Sequence, residues 1–470
     1  MRARTLIPLS IGLLAFKLSL DHFYDVDLFW HLRLGLDILE RGVLPRTVEY
    51  TWSVPGAPYL PNDWLAQVLF AAAYRVGGFS GVAVFKAALV VATGLTLYEV
   101  ARERARGNAI AAGFPAALAL AVAATAFIAR PLLLGFLCLA VELFLVERLR
   151  RGARWAVLAM PGVFCVWINA HGTWPIGLGA LAAAALDALW ESRHARASDG
   201  VVPPASAPSL FAGLALAFAG LFANPVGIGF LARPFKLLAV SRGLGEIAEW
   251  SAVPLKDPAA WLLAALAALT AWAVLRTRGR RRPFEIVLAL AALGMAVSAV
   301  RHLVLFALIA APVAAEHLAT RWRRDGLANA KLNAAVAAIA ALLLGGIGAL
   351  KLAGVEAEVR RESPSGPVEA LRATGLSGER GFHFFDWGGY LVFQKIPSFI
   401  DGRLEPFVRA GVFQKYWEVE SKADVAGLEA MGVRWILARR GTLLDVAVAQ
   451  REGWNCEAQS EQAVLWLRGP

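Results

Sequence analysis

Charge is scarce in this chain. Only 18% of its 470 residues are Asp, Glu, Lys or Arg, against about 25% in soluble domains. With 58% hydrophobic residues, that composition excludes an ordinary soluble globule, and apolar runs of about 20 residues call for a bilayer. Cysteine is scarcer still. Cys138 and Cys165 lie in apolar runs and Cys456 stands alone near the C-terminus. No C-x-x-C pair occurs, which excludes a disulfide framework and a cysteine-based zinc site. P-loop, G-x-S-x-G, H-E-x-x-H and Rossmann fingerprints are also missing, so a soluble nucleotide is not implied. The net charge of +11 would suit nucleic acid in a soluble protein. Here the excess sits in short loops between apolar runs, where membrane topology accounts for it, and a nucleic-acid partner is excluded.

What is present is a long series of apolar segments, near 5–20, 65–77, 82–100, 109–128, 132–147, 155–170, 174–190, 209–224, 259–275, 284–300, 302–319 and 333–352. Arginine clusters punctuate them. The first is Arg2 and Arg4, the second Arg102, Arg104 and Arg106. The third runs from Arg148 to Arg154, the fourth from Arg276 to Arg282, and the fifth from Arg321 to Arg324. Such clusters mark cytoplasmic loops. Even numbers of spans separate the second cluster from the third, the third from the fourth and the fourth from the fifth, as a shared side demands. The first interval holds three segments. Segment 65–77, only about 20 Å long as a helix, ends at Gly77 and Gly78 and is expected to be re-entrant or interfacial. The first apolar run has no small-residue cleavage site after it and reads as an uncleaved span. The sequence therefore predicts an α-helical polytopic membrane domain over 1–352 with about eleven crossings and external loops at 21–64 and 225–258. The N-terminus is then cytoplasmic. Residues 353–470 are more charged and alternate in pattern. They predict a small extracytoplasmic α/β domain with strands near 381–385, 397–400, 433–438 and 463–467, and helices near 366–374, 405–421 and 424–431.

Polar residues gather in the segments between the arginine loops. Loop 21–64 carries Asp25, Asp27, His31 and Asp63. Leu28, Leu32, Leu36 and Leu39 fall on one helical face with polar residues opposite, which predicts a helix lying on the membrane surface. Asp27 and His31, four apart, share a face and suit a general base pair or two metal ligands. Against this stands a helix N-cap at Asp25 or Asp27, although one helix start needs only one cap. Asn169 and His171, followed by Gly172, end one span; they would contact substrate or tie two helices together. Glu246, Glu249 and Trp250 lie in the second external loop, with Glu249 the stronger candidate acid and Trp250 an interface residue. Arg301 and His302 sit between two spans, where a guanidinium can bind phosphate or snorkel to headgroups. Lys86 and Arg130 are weaker candidates of the same kind. In the tail, Asp386 to Tyr390 and Asp401 to Glu405 read as turns with exposed acids, and Asp401 and Arg403 could bind a sugar or an ion. The default reading there is a structural Asp-Gly turn with Arg403 paired to Glu405.

These features together resemble the GT-C superfamily of multi-pass membrane glycosyltransferases. The resemblance rests on Asp25-Val-Asp27, the amphipathic helix after it, Asp63-Trp64-Leu65, the loop with Glu249-Trp250, and a soluble tail. It is closest to bacterial members that combine an Asn-x-His-Gly segment with Gly-Gly-Tyr and Asp-Gly-Arg in the tail. It implies transfer of a sugar from a polyprenyl-phosphate carrier to a lipid or glycan acceptor at the outer face of a bacterial inner membrane. Asp25 or Asp27 would activate the acceptor, Arg301 would hold the donor phosphate, and His171 and Glu249 would position substrate. A divalent cation, where one is used, would fall to Asp25 and Asp27; the cofactor is left open. Three other readings compete. An O-antigen-ligase-like transferase would depend on Arg301 and His171. A transporter of lipid-linked or anionic substrates needs polar midplane residues, and the span centres are mostly Ala, Leu and Val. A scaffold would recruit partners through the tail.

Overall fold

A computed structural model describes residues 3–21, 23–194, 206–235, 251–276, 282–322 and 330–469. The chain divides into two compact units: Met1–His22 with Ala83–Leu352, and Phe23–Val82 with Ala353–Pro470. Residues 23–82 thus share a unit with the tail, which reading 353–470 as a domain by itself did not anticipate.

In chain order the helices of the first part are α1 (Ala3–Ser19), α2 (Leu28–Arg41), α3 (Trp64–Arg104), α4 (Ala109–Ala123), α5 (Leu132–Arg150), α6 (Trp155–Ala170), α7 (Trp174–His194) and α8 (Ser206–Gly220). Then come α9 (Pro258–Arg276), α10 (Pro283–Ser298), α11 (Leu303–Leu318) and α12 (Ala330–Glu362). Among the described residues, five helices are long and apolar enough to cross a membrane, and Trp155–Ala170, Ala207–Gly220 and Pro283–Ser298 are shorter apolar helices.

The first unit is held together where small residues let helices touch, as expected where lipid supplies no hydrophobic drive. A Cβ at Gly220 on α8 would overlap the Pro161 carbonyl of α6, and one at Gly177 would overlap the Trp167 ring. Proline stands inside these helices at Pro115, Pro161 and Pro312, as membrane helices tolerate. Charge is gathered at one end. Arg104 meets Glu285 at 2.6 Å and Glu316 at 2.8 Å, Arg150 meets Glu147 at 2.9 Å and Glu285 at 2.6 Å, and Arg282 meets Glu316 at 3.0 Å. Asp187 accepts the Phe284 and Glu285 amides, both at 3.0 Å, closing the start of α10. Members of the second, third and fourth arginine clusters therefore meet in one network of ion pairs.

In the second unit α2 is packed from Leu28 to Ile38, with His31, Arg33 and Asp37 among the buried residues. This corrects the helix expected to lie on a membrane surface with its polar face in water. The leucine periodicity holds, but on the opposite face His31, Arg33 and Asp37 are covered by protein and satisfied there, while Glu40 and Arg41 stay exposed. Arg33 Nη2 donates to Asp37 Oδ1 at 2.7 Å, Tyr50 Oη donates to Asp37 Oδ2 at 3.1 Å, and Gln67 Nε2 lies 3.1 Å from His31 Nδ1. Helix α3 breaks at Gly77 and Gly78, the latter at φ +59°, where segment 65–77 was expected to end. Glu356 Oε1 accepts the Phe79 amide at 2.9 Å and so caps the restart. Helix α12 continues past Leu352 to Glu362, because no proline stands between Leu352 and Pro364 and the single Gly354 is tolerated.

The tail holds α13 (Ser365–Ala373), β1 (Gly381–His383), α14 (Gly388–Phe393), α15 (Glu405–Arg409), α16 (Val412–Lys422), α17 (Val425–Ala430), β2 (Trp435–Arg439), α18 (Leu443–Ala449), β3 (Trp454–Gln459) and β4 (Ala463–Arg468). Sheet order is β1-β2-β4-β3, with β1 parallel to β2 and the other pairs antiparallel. The expected strand at 397–400 is only a single bridge, Thr51 to Ser398, made by a segment far away in sequence. The expected helix over 405–421 is split by Gly411 at φ +73°. Gly388 to Tyr390, expected to lie in a turn over 386–390, instead open α14, which packs on α2.

His383 ties this fold to pH. Its ring is fully buried. Nδ1 donates to the Phe384 carbonyl at 2.9 Å, and Nε2 accepts the Phe399 amide at 3.0 Å, which requires the neutral ring. Burial pushes its pKa down to about 4, against the upward pull of the Phe384 carbonyl and the Asp401 charge. The folded value lies below the unfolded value of about 6.5, so the unfolded chain binds more protons in between. Stability is full above about pH 6.5 and falls as pH drops toward 4, by on the order of 3 kcal/mol from this residue. Thermal melts of wild type between pH 7.5 and 4.5 should show a loss that His383→Gln flattens. Parallel pH profiles for the two proteins would refute the assignment.

Candidate active site

Asp25 and Asp27 stand where the chain enters α2. Asp25 Oδ1 accepts the Asp27 amide at 3.0 Å, and the Asp25 carbonyl accepts from Leu28. Asp27 makes no side-chain cap; its Oδ1 accepts the Trp30 indole N–H at 2.9 Å. The alternative of an Asp27 N-cap is thereby removed, while Asp25 shapes the turn before the helix. Trp30 stacks on His31 at 3.6 Å between ring centroids. Asp63 stands directly before α3, its carbonyl accepting the Gln67 amide at 2.9 Å.

The tail brings a third carboxylate to this place. Burial pushes the Asp386 carboxyl above the usual range, and the charges of Asp27 and then Asp25 add to it, with Arg439 pulling the other way. The charges of Asp27 and Asp25 thus act on Asp386, which groups the three carboxylates electrostatically. Glycine makes the approach possible. A Cβ at Gly402 would overlap Asp27 Oδ1 and lie 2.6 Å from Trp30 Nε1, and one at Gly389 would lie 2.5 Å from the Val26 carbonyl. The Gly-Gly-Tyr and Asp-Gly-Arg segments thus meet Asp27 and its neighbours. No sequence pattern marked Trp30 as part of the site.

Asp401 and Arg403 are not at an exposed turn, which corrects the sugar- or ion-binding candidate. Both side chains are 0% exposed and meet at 2.6 Å. The partner expected for Arg403, Glu405, pairs with Arg409 instead at 2.8 Å, because on the short α15 those residues are one helical turn apart.

In the first unit, Asn169 Nδ2 donates to the Cys165 and Ala223 carbonyls, both at 2.8 Å. That is the helix-tying role. His171 Nδ1 lies 3.0 Å from Thr173 Oγ1, which also accepts the Trp167 indole N–H at 3.0 Å. Burial, and then the positive charge of Arg301, push the His171 pKa down to about 3. The ring is therefore neutral at pH 7, and Arg301 is close enough to act on it. His302 Nδ1 donates to the Met295 carbonyl at 3.1 Å. Lys86 is buried and donates to the Asp21 carbonyl at 3.0 Å. Glu246, Glu249 and Trp250 lie outside the described residues. Among the described residues no group of three or more His, Cys, Asp or Glu side chains is arranged to hold a metal ion, and no step below is routed through one.

No family model matches the sequence, and no curated protein matches it. Solved structures do match. ArnT from Cupriavidus metallidurans bound to undecaprenyl phosphate is 15% identical, with a TM-score of 0.52 over 98% of each chain. The oligosaccharyltransferase AglB from Archaeoglobus fulgidus, in complex with an inhibitory peptide and a dolichol-phosphate, is 13% identical; 93% of this chain and 69% of that one align at a TM-score of 0.53. The same enzyme tethered to an acceptor peptide aligns at 0.52 with 14% identity, over 92% of this chain and 69% of that one. Likeness at such low identity speaks for the fold alone: the chain shares the polytopic helical architecture of those two proteins.

Proposed function

We propose that the chain is a membrane glycosyltransferase moving a sugar from a polyprenyl-phosphate carrier to a lipid or glycan acceptor. The face is extracytoplasmic and the membrane a bacterial inner membrane, with the N-terminus inside and residues 353–470 outside. The observation that carries this reading is the shared fold, aligned with undecaprenyl-phosphate-bound ArnT over 98% of both chains. In this reading the roles fall as follows. Asp27 or Asp25 takes the proton of an acceptor hydroxyl, whose oxygen attacks the anomeric carbon. The bond from that carbon to the phosphate oxygen breaks, and the electron pair leaves with the lipid phosphate. Arg301 neutralises the growing charge with a planar donor fork. His171, held neutral, donates a hydrogen bond without adding charge.

Purified full-length protein in proteoliposomes with radiolabelled polyprenyl-phosphate sugars tests the reading. Transfer to a lipid or glycan acceptor is expected, and Arg301→Ala should raise the KM for the donor. Failure of wild type with every donor would overturn the reading. The influence of Arg301 on His171 also favours a second one, an O-antigen-ligase-like transferase. In that case Arg301→Ala and His171→Ala abolish transfer while Asp25→Asn and Asp27→Asn leave it intact.

A further inference from the structure

We propose that Trp30 is the positioning residue for the acceptor-activating carboxylate, fixing Asp27 Oδ1 through its indole N–H within a cradle whose walls are the backbones of Gly402 and Gly389. The proposal rests on the transferase reading above. Four observations carry it. The indole N–H donates to Asp27 Oδ1 at 2.9 Å, and the Asp27 main chain is held separately by Asp25 Oδ1 at 3.0 Å. Carboxylate and backbone are thus fixed by different partners, which restricts the side chain to one orientation. The indole cannot turn away, because Trp30 is 6% exposed, stacks on His31 and packs with Leu34, Val392, Tyr50 and Tyr59. The space around the hydrogen bond admits no side chain: a Cβ at 402 would strike both its ends, and one at 389 would reach Trp30 Cδ1 at 3.3 Å. Finally, His31 is itself tied to Gln67 at 3.1 Å, so the ring on which Trp30 leans is also fixed. A catalytic carboxylate needs such support, since small misplacements of a reacting group cost large factors in rate.

Trp30→Phe keeps an aromatic ring, smaller than the indole, and deletes the donor. In the proteoliposome transfer assay it should lower kcat roughly tenfold, the equivalent of one hydrogen bond to a charged group, with donor KM unchanged. Gly402→Ala should do the same by pushing the pair apart, which covers the case of Trp30→Phe failing to fold. In an Asp27→Asn background neither change should lower kcat further, because the residue through which they act is already gone. Independently of activity, the indole N–H resonance of Trp30 in 15N-tryptophan-labelled full-length protein should move in Asp27→Asn and in Gly402→Ala. Undiminished kcat in both single variants of an active wild type, equal losses with or without Asp27, or an unmoved resonance would overturn the positioning role alone. A wild type silent with every donor would overturn the transferase reading and the role that rests on it.

Discussion

On the transferase reading, Asp27→Asn should lower the rate of sugar transfer by about 10²–10⁴-fold, the worth of a positioned general base, and leave the thermal midpoint within a few degrees of wild type. The structure allows this separation. Asn retains an oxygen that accepts the Trp30 indole N–H now held by Asp27 Oδ1, and Asp27 caps no helix amide with its side chain. What is lost is the negative charge. Asp25→Asn sorts the two acids. Its amide oxygen would still accept the Asp27 N–H, so the turn into α2 persists. A rate like wild type makes Asp25 a turn residue, and a loss comparable to that of Asp27→Asn makes it a partner in the chemistry. Asp386 gives a second check with a definite sign. Part of its raised proton affinity comes from the charge on Asp27, so Asp27→Asn must move the Asp386 titration toward lower pH. Full transfer activity in both Asn variants, measured as kcat at saturating donor, would remove the base assignment and leave the arginine- and histidine-dependent alternative.

Much of the architecture was legible because its signals are local. Apolar segments, the arginine loops between them, the helix after Asp27, the glycine break at 77–78 and the strands β1, β2 and β4 each declare themselves within a window of a few turns. The remainder is set by pairing between distant segments. Ser398 bridges to Thr51 and not to a strand neighbour, and Ser53 Oγ donates to the Phe399 carbonyl at 2.5 Å. Residues 388–393 carry two glycines that argue for a turn, yet they are helical against α2. Strand β3 is an exception: Trp454, Cys456 and Ala458 alternate with Asn455, Glu457 and Gln459, a local signal that the strands expected in 353–470 leave out. At the candidate site the acids were visible from their density near Asp25, but the approach of Gly402 to Asp27 has no local signature. Burial of the polar face of α2 was equally hidden, since amphipathic spacing is the same whether lipid, water or protein covers the second face.

Asp401→Asn destabilises the second unit by about 3–5 kcal/mol, since it leaves the Arg403 charge buried without its partner. Both side chains are wholly inaccessible. Asp401 accepts from Arg403 Nη2 at 2.6 Å, from Nε at 2.8 Å and from the Arg403 amide at 3.0 Å, and Ser398 Oγ adds a bond at 3.4 Å. Arg403 in turn donates to the Glu49 carbonyl at 2.8 Å and stands over the Tyr59 ring at 5.7 Å. One guanidinium thus joins the tail to the segment between α2 and α3, and water cannot replace it. For a unit of this size a fall in melting temperature of about 6–20 °C corresponds. Arg403→Lys should lose nearly as much, because an ammonium cannot reproduce the two-pronged bond to the carboxylate. The paired replacement Asp401→Asn with Arg403→Met should recover part of the loss, because no buried charge then lacks a counter-ion. The recovery should be in stability, not in transfer: Gly402 lies between these residues and against Asp27 Oδ1, so releasing the turn on either side of it loosens the carboxylate. Melting curves and kcat measured on the same preparations decide the matter. Single variants that melt with wild type would show that the pair is replaceable by solvent. A double variant as unstable as the worse single one would show that the bonds, and not the stranded charge, carry the effect.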